Sequence, residues 1–196
     1  LSGQSCLPGG LFLNTQTQAD QFATLYPGCK VIEGGIFVSS KDIRHLDGLQ
    51  QITNIQGDLR ITNCDSLVQI SGLKNMTEIG GAVRIQNNPQ LSSLGLHTLK
   101  RVRGDYFYIS SNPLLKNLKE INRLDSVFGI FQIWNQDSLT SISGLDSLQF
   151  VGKDFALFRN KQLKDLTGLG GLLHIEEGFR IYENPVLHSV QGLSKN

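Results

Sequence analysis

Between Leu67 and Gln90 the apolar residues follow two rhythms in turn. Leu67, Ile70, Leu73, Met76 and Ile79 recur at every third position, and then Val83 and Ile85 alternate with polar residues. A spacing of three suits the tight turns of a coil, whereas alternation marks a short half-buried strand. The whole unit then repeats. Leu67, Leu91, Leu115, Leu139, Leu163 and Leu187 each follow the one before by 24 positions, and Ile43 extends the series weakly upstream. A fixed period of this length predicts a solenoid, in which each repeat buries its apolar side against the next. The expected fold is mainly β: a right-handed parallel β-helix or leucine-rich-repeat-like solenoid of about seven 24-residue coils, with a short capping helix at its N-terminal end.

Other positions keep the same period. Three residues before each leucine stand Cys64, Asn88, Asn112, Gln136, Asn160 and Asn184. An amide there can donate to and accept from the backbone of adjacent coils, pairing groups that would otherwise be buried unsatisfied. Cys64 fits as a small, weakly donating substitute, so it reads as structural rather than as a nucleophile. A second buried column runs Leu59, Val83, Phe107, Phe131, Phe155 and Phe179. The glycines of Gly48-Leu49, Gly72-Leu73, Gly144-Leu145, Gly168-Leu169 and Gly192-Leu193 are expected to supply turns with positive φ. Around Arg103-Gly104-Asp105-Tyr106 the coil carries one extra residue, expected as a β-bulge, which leaves open which of Tyr106 and Tyr108 faces outward.

Residues 1–30 read as a helical N-terminal cap and 31–196 as the solenoid, together forming one domain. Thr17 and Asp20 have capping-box spacing, Phe22, Leu25 and Tyr26 give an apolar face, and Pro27-Gly28 stops the helix. Cys6 and Cys29 flank this segment, and a disulfide between them would staple the helix over the end of the solenoid, worth roughly 3 kcal/mol in the chain-entropy model. Two buried thiols are the alternative; a bridge implies an oxidising compartment.

Composition narrows the function classes. Among 196 residues 18% are charged and the formal net charge is +1, with no block of like charges, so neither nucleic acid nor an anionic membrane is an expected partner. No run of 18 apolar residues exists to insert into a bilayer. No signal peptide is visible, and Leu1 in place of Met points to a processed or trimmed product. His45, His97, His174 and His188 occupy different repeat positions, so no metal site and no cofactor is expected.

The segment Cys29-Lys-Val-Ile-Glu-Gly-Gly-Ile36-Phe-Val38, preceded by a capped helix and Cys6, resembles the receptor L domain, the ligand-binding solenoid of insulin- and epidermal-growth-factor-type receptors. Later coils, such as Gly80-Gly81-Ala-Val83-Arg-Ile85-Gln-Asn-Asn88-Pro89, look like a more regular form of the same superfamily, which also occurs in fungal cell-wall proteins and secreted microbial proteins. The likeness runs from Cys6 to Leu193. It implies an extracellular or cell-surface recognition domain that takes a polypeptide on its sheet face. Receptor L domains usually close with a further cysteine-containing coil; here the sequence reaches Gln191-Gly192-Leu193 as an eighth coil begins, so the C-terminal cap is expected to be missing and that coil is a candidate for self-association.

Alternation places three columns on the outer face of the sheet. They are Asp58, Ala82, Tyr106, Ile130, Asp154, Gly178; then Arg60, Arg84, Tyr108, Gln132, Ala156, Arg180; then Thr62, Gln86, Ser110, Trp134, Phe158, Tyr182. Trp134, Phe158 and Tyr182, with Tyr108, Ile130 and Gln132 beside them and Arg60, Arg84 and Arg180 in the next column, form the candidate ligand-binding face, since aromatic and arginine side chains dominate binding hot spots. Packing under a neighbouring domain is the alternative use of the same strip. Cell-wall adhesion or carbohydrate binding is the alternative function, because a row of exposed rings can stack on sugars. Asn75-Met76-Thr77 is the one glycosylation sequon.

A polysaccharide-acting β-helix enzyme is the third reading and fares worst. Asp58 and Asp154 lie four coils apart, roughly 19 Å, and each is roughly 10 Å from Asp105 along the stack, beyond either glycosidase geometry. No enzyme activity is expected.

Overall fold

The computed structural model describes residues 4–193; residues 1–3 and 194–196, which include Leu1 and the continuation of the expected eighth coil, lie outside the described residues. Two parallel sheets, each of eight strands, run the length of the described chain, with one α-helix and three short 3₁₀ turns. The wide sheet comprises Leu11–Leu13, Ile36–Val38, Leu59–Thr62, Val83–Gln86, Tyr106–Ser110, Ile130–Trp134, Phe155–Phe158 and Phe179–Tyr182. The narrow sheet comprises Gln4–Cys6, Cys29–Ile32, Asn54–Ile55, Glu78–Ile79, Arg101–Val102, Ser126–Val127, Phe150–Val151 and His174–Ile175. The chain alternates between the sheets, contributing one strand to each in every coil, so each strand pairs with its counterparts in the coils before and after.

The ladder leucines Leu67, Leu91, Leu115, Leu139 and Leu163 fill the space between the sheets and are essentially inaccessible. The Phe column lies inward on the wide sheet, in register from Phe107 through Phe131 and Phe155 to Phe179, with ring centroids 5.0, 5.0 and 5.1 Å apart. In the last described coil Phe179, Ile181, Leu187 and Leu193 are only partly buried, unlike their equivalents one coil earlier.

The amide column joins the coils through the core. Each side-chain carbonyl accepts the backbone N–H of the equivalent residue one coil back: Asn88 from Cys64 (3.1 Å), Asn112 from Asn88 (3.3 Å), Gln136 from Asn112 (3.2 Å), Asn160 from Gln136 (3.3 Å) and Asn184 from Asn160 (3.0 Å). The amide nitrogens of Asn88, Asn112, Asn160 and Asn184 donate to the carbonyls of Ile61, Ile85, Ile133 and Leu157 in the same preceding coils. Gln136, one methylene longer, turns its Nε2 to the Trp134 carbonyl instead. Cys64 is buried, with its Sγ against the carbonyls of Val38 and Thr62, and burial pushes its thiol up, which makes it an inert group.

A device that the periodicity does not announce turns each wide strand into this column. Asn63, Asn87, Ser111, Asn135, Arg159 and Glu183, each one residue before a ladder residue, all adopt left-handed backbone with φ of 53–57°. A single left-handed residue swings the chain inward within one step, so the next side chain enters the core. Asn tolerates this conformation; Ser, Arg and Glu do so at a cost.

Three expectations are corrected. The helix, Gln16–Leu25, is capped by Thr15 and Gln18 rather than by Thr17 and Asp20: Thr15 accepts from the Gln18 N–H while Gln18 Oε1 accepts from the Thr15 N–H. It buries Ala19 and Phe22, whereas Leu25 and Tyr26 stay exposed. Of the five turn glycines, Gly144, Gly168 and Gly192 have positive φ, but Gly48 and Gly72 lie in 3₁₀ turns and are needed for closeness: a Cβ on Gly72 would sit 1.7 Å from the Leu46 carbonyl oxygen. The extra residue makes no bulge in a strand. It is absorbed in the corner between Val102 and Phe107, and a residue lost between Leu94 and Leu96 compensates, so Phe107 keeps register with Val83 and Phe131, and Tyr106 and Tyr108 both face outward.

Cys6 and Cys29 form a disulfide, with Cα atoms 5.8 Å apart. The helix lies over the first 3₁₀ turn, Asp47–Leu49, and Gln16 performs there what the amide column does elsewhere: its Oε1 accepts from the Arg44 N–H at 2.7 Å and its Nε2 donates to the His45 carbonyl at 3.1 Å.

Two outcomes follow. Asn112→Ala leaves the Asn88 N–H without an acceptor in the core and removes one of the donors to the Ile85 carbonyl, and is expected to destabilise by about 2 kcal/mol, whereas Ser92→Ala at the surface has little effect; urea midpoints measure both. Arg159→Gly relieves a left-handed side chain and raises the midpoint, while Asn63→Gly leaves it nearly unchanged.

A candidate ligand-binding face

The outer face of the wide sheet follows from strict register. Arg60 stands beside Arg84, Arg84 beside Tyr108, Tyr108 beside Gln132, Gln132 beside Ala156 and Ala156 beside Arg180. In the next column Thr62, Gln86, Ser110, Trp134, Phe158 and Tyr182 are likewise neighbours in succession. Tyr106 pairs with Ile130 in the remaining column. Because the side chains of a parallel ladder superpose, rings in one column stack. Trp134 and Phe158 have centroids 5.6 Å apart at 8°, Phe158 and Tyr182 4.7 Å apart at 9°, and Tyr108 meets Trp134 edge-on at 5.3 Å. Trp134 and Phe158 are half-buried by this stacking, and Tyr182 is 46% exposed. Ile130, Gln132 and Tyr108 are also half-buried, so each sequence-derived aromatic of the face reaches its surface.

Some members of the columns do not reach solvent. Ala82, Ser110, Asp154 and Ala156 are buried. Ser110 stands between Gln86 and Trp134, and Ala156 between Gln132 and Arg180, where larger neighbours overshadow them. The face is therefore a set of aromatic and arginine ridges over a floor of small residues.

The electrostatics are unevenly settled. Asp58 holds Arg60 at 2.7 Å, and this hydrogen bond raises the arginine above its ordinary value. Its other oxygen accepts the Ala82 N–H at 2.9 Å. Asp154 holds Arg180 at 2.9 Å. The Arg84 guanidinium lies over two rings, 5.2 Å from the centroid of Tyr106 and 5.9 Å from that of Tyr108, and those rings stack at 4.3 Å. Burial pushes the Tyr108 phenol up, so it remains a neutral hydrogen-bonding group at ordinary pH.

The aromatic path extends further than the 24-residue count shows. Phe12 and Phe37 continue the arginine column upstream, in register with Arg60, stacked at 4.8 Å, with Arg60 over Phe37 at 5.7 Å. Phe12 is 58% exposed. The spacings from Phe12 to Phe37 and on to Arg60 are 25 and 23, which hides both from a fixed period; the alternation in Leu11-Phe12-Leu13 and Ile36-Phe37-Val38 was the available signal.

Elsewhere, the narrow sheet carries a smaller row in which Phe128, Phe150 and His174 succeed one another at 5.6 and 5.8 Å. A polar groove of about 420 Å³ runs between the left-handed turn column and Asp65, Pro89, Pro113 and Asp137. Asp65 pairs with Lys41 and Asp137 with Lys161. Asn75 is exposed on a turn, its Nδ2 donating to the Gln50 carbonyl at 2.8 Å. Among the described residues no three groups of His, Cys, Asp and Glu gather where a metal could be held, and no helix is long and apolar enough to cross a membrane.

Comparison with known proteins gives one family. No curated protein and no solved structure matches the chain. A family model described as the Receptor L domain matches residues 28–124, from the disulfide cysteine Cys29 through the amide ladder as far as Asn112, and the same ladder continues in register to Asn184. The chain belongs to the receptor L-domain superfamily.

Proposed function

We propose that this chain is an extracellular recognition domain that takes a protein or peptide ligand on the outward face of its wide sheet. The observation that carries this reading is the unbroken ring contact from Tyr108 through Trp134 and Phe158 to Tyr182, set beside an arginine column. Stacked rings at fixed spacing give large apolar contact with little side-chain entropy left to lose, the property that makes Trp, Tyr and Arg binding hot spots. The receptor L-domain family is one of ligand recognition, and the Cys6–Cys29 disulfide accords with an extracellular setting. Asn75 lies on a turn leading to the narrow sheet rather than on a wide strand, so a glycan there leaves the face open.

A display library of random 12-residue peptides, panned against the native protein, tests the reading. Enriched clones are expected to lose about 30-fold in affinity on Trp134→Ala or Phe158→Ala, the size of a hot-spot truncation, while the variants keep the native circular dichroism. Clones that bind both variants as well as the native protein contradict it. If the clones fail but neutral oligosaccharides bind and depend on Trp134, the ligand is a glycan.

A further inference from the structure

The three arginines of the face differ in one respect that stacking does not explain. Arg60 and Arg180 each have an aspartate within 2.9 Å. Arg84 has neither an ion pair nor a hydrogen bond among the described residues, and its Nε is buried without a partner. The rings of Tyr106 and Tyr108 stabilise its charge from the π face but leave its in-plane N–H groups unmet. The coil itself supplies no acceptor, and Arg60, the next residue in the column, repels it. A half-buried guanidinium held 5.2 and 5.9 Å from two ring centroids, with no protein acceptor at its two Nη groups, is preorganised for a carboxylate, whose two oxygens match that pair of donors. The low overall charge of +1 and the absence of a basic block speak against a polyanion as the source of that carboxylate-like group.

Resting on the reading that the wide sheet binds a peptide or protein, we propose that Arg84 sets the specificity of the face by pairing with a carboxylate of an acidic segment, whose neighbouring apolar side chain packs on Tyr108 and Trp134. Arg84 and Tyr108 are direct register partners, and Tyr108 touches Trp134, so the charged and apolar subsites lie one coil apart, roughly 5 Å. That separation is spanned by two side chains within four positions of each other in a bound peptide. Arg84 thus acts as the face's one unsatisfied cation, and the aromatic strip supplies the contact area beside it.

The peptides selected on the native protein decide the matter. Sequenced clones are expected to be enriched in Asp or Glu within four positions of an aromatic or large aliphatic residue. Their affinity should fall about tenfold or more on Arg84→Gln, and less on Arg84→Lys, which keeps the charge and loses the fork. Replacing the acidic residue by its amide in the synthetic peptide should reproduce the loss on the native protein, a comparison that does not depend on how the variants fold. Clones that need Trp134 but show no acidic enrichment and bind Arg84→Gln undiminished overturn the role of Arg84 and leave the peptide-binding face standing. Clones indifferent to both Trp134 and Arg84 overturn the face and the Arg84 pairing together.

Discussion

The buried amide ladder is the interaction on which the rest of this structure depends. At the corner after each wide strand a coil turns its backbone inward, and every N–H and C=O buried there needs a partner. Strands pair within their sheets, but the segment just after each wide strand belongs to neither sheet. Asn88, Asn112, Gln136, Asn160 and Asn184 meet that need by accepting from the coil before, and four of the five also donate to it. Because each amide spans two consecutive coils, it fixes their relative position along the strand direction. Register on the wide sheet follows from that lock, and a slip of one residue would turn the Phe column outward and the aromatic strip inward.

The left-handed column beside the ladder shows the same constraint from the side of its cost. Three of its six residues are not Asn, yet all hold φ near 55°. Such a series would be odd as a chance accumulation of strain. It is explained by the need to swing a polar side chain from the end of a surface strand into the core in one step. The surface consequence is a regular edge to the wide sheet, along which the polar groove runs. The functional consequence is a face whose rings are placed by the backbone rather than by their own mobility, with Phe12 and Phe37 at one end and Tyr182 at the other.

Much of this was legible in the sequence, because a constant period converts one-dimensional spacing into neighbourhood. The 24-residue recurrence of Leu67 and its successors placed Phe107, Phe131 and Phe155 in one stack, and Trp134, Phe158 and Tyr182 in another, without any structure. It failed where coil length varies. Phe12 and Phe37 stand in coils of 25 and 23 residues, and the residue lost beside Gly95 is repaid only at the corner before Tyr106, so local counting made the tyrosines ambiguous. Pattern reports pairing only in part. Asp58 stands two residues before Arg60 on the same face, which reads as an ion pair from the sequence, but nothing in the spacing says that Asp154 reaches Arg180 in the next coil while no aspartate reaches Arg84, because that reach depends on local rotamers. The helix cap was displaced by two residues because Thr15 and Thr17 offer competing starts, and the reciprocal bonds with Gln18 decide for Thr15.

Amide hydrogen exchange resolved by residue tests the ladder's role most directly. If the ladder locks the coils, the N–H groups of Asn88, Asn112 and Gln136, which lie outside both sheets, exchange only when the stack opens and are as slow as the strand N–H of Phe131. Exchange at those three positions as fast as in the exposed turns would show that the coils are held by the sheets alone, and the ladder would then not be the cause of the fixed register of the aromatic and arginine face.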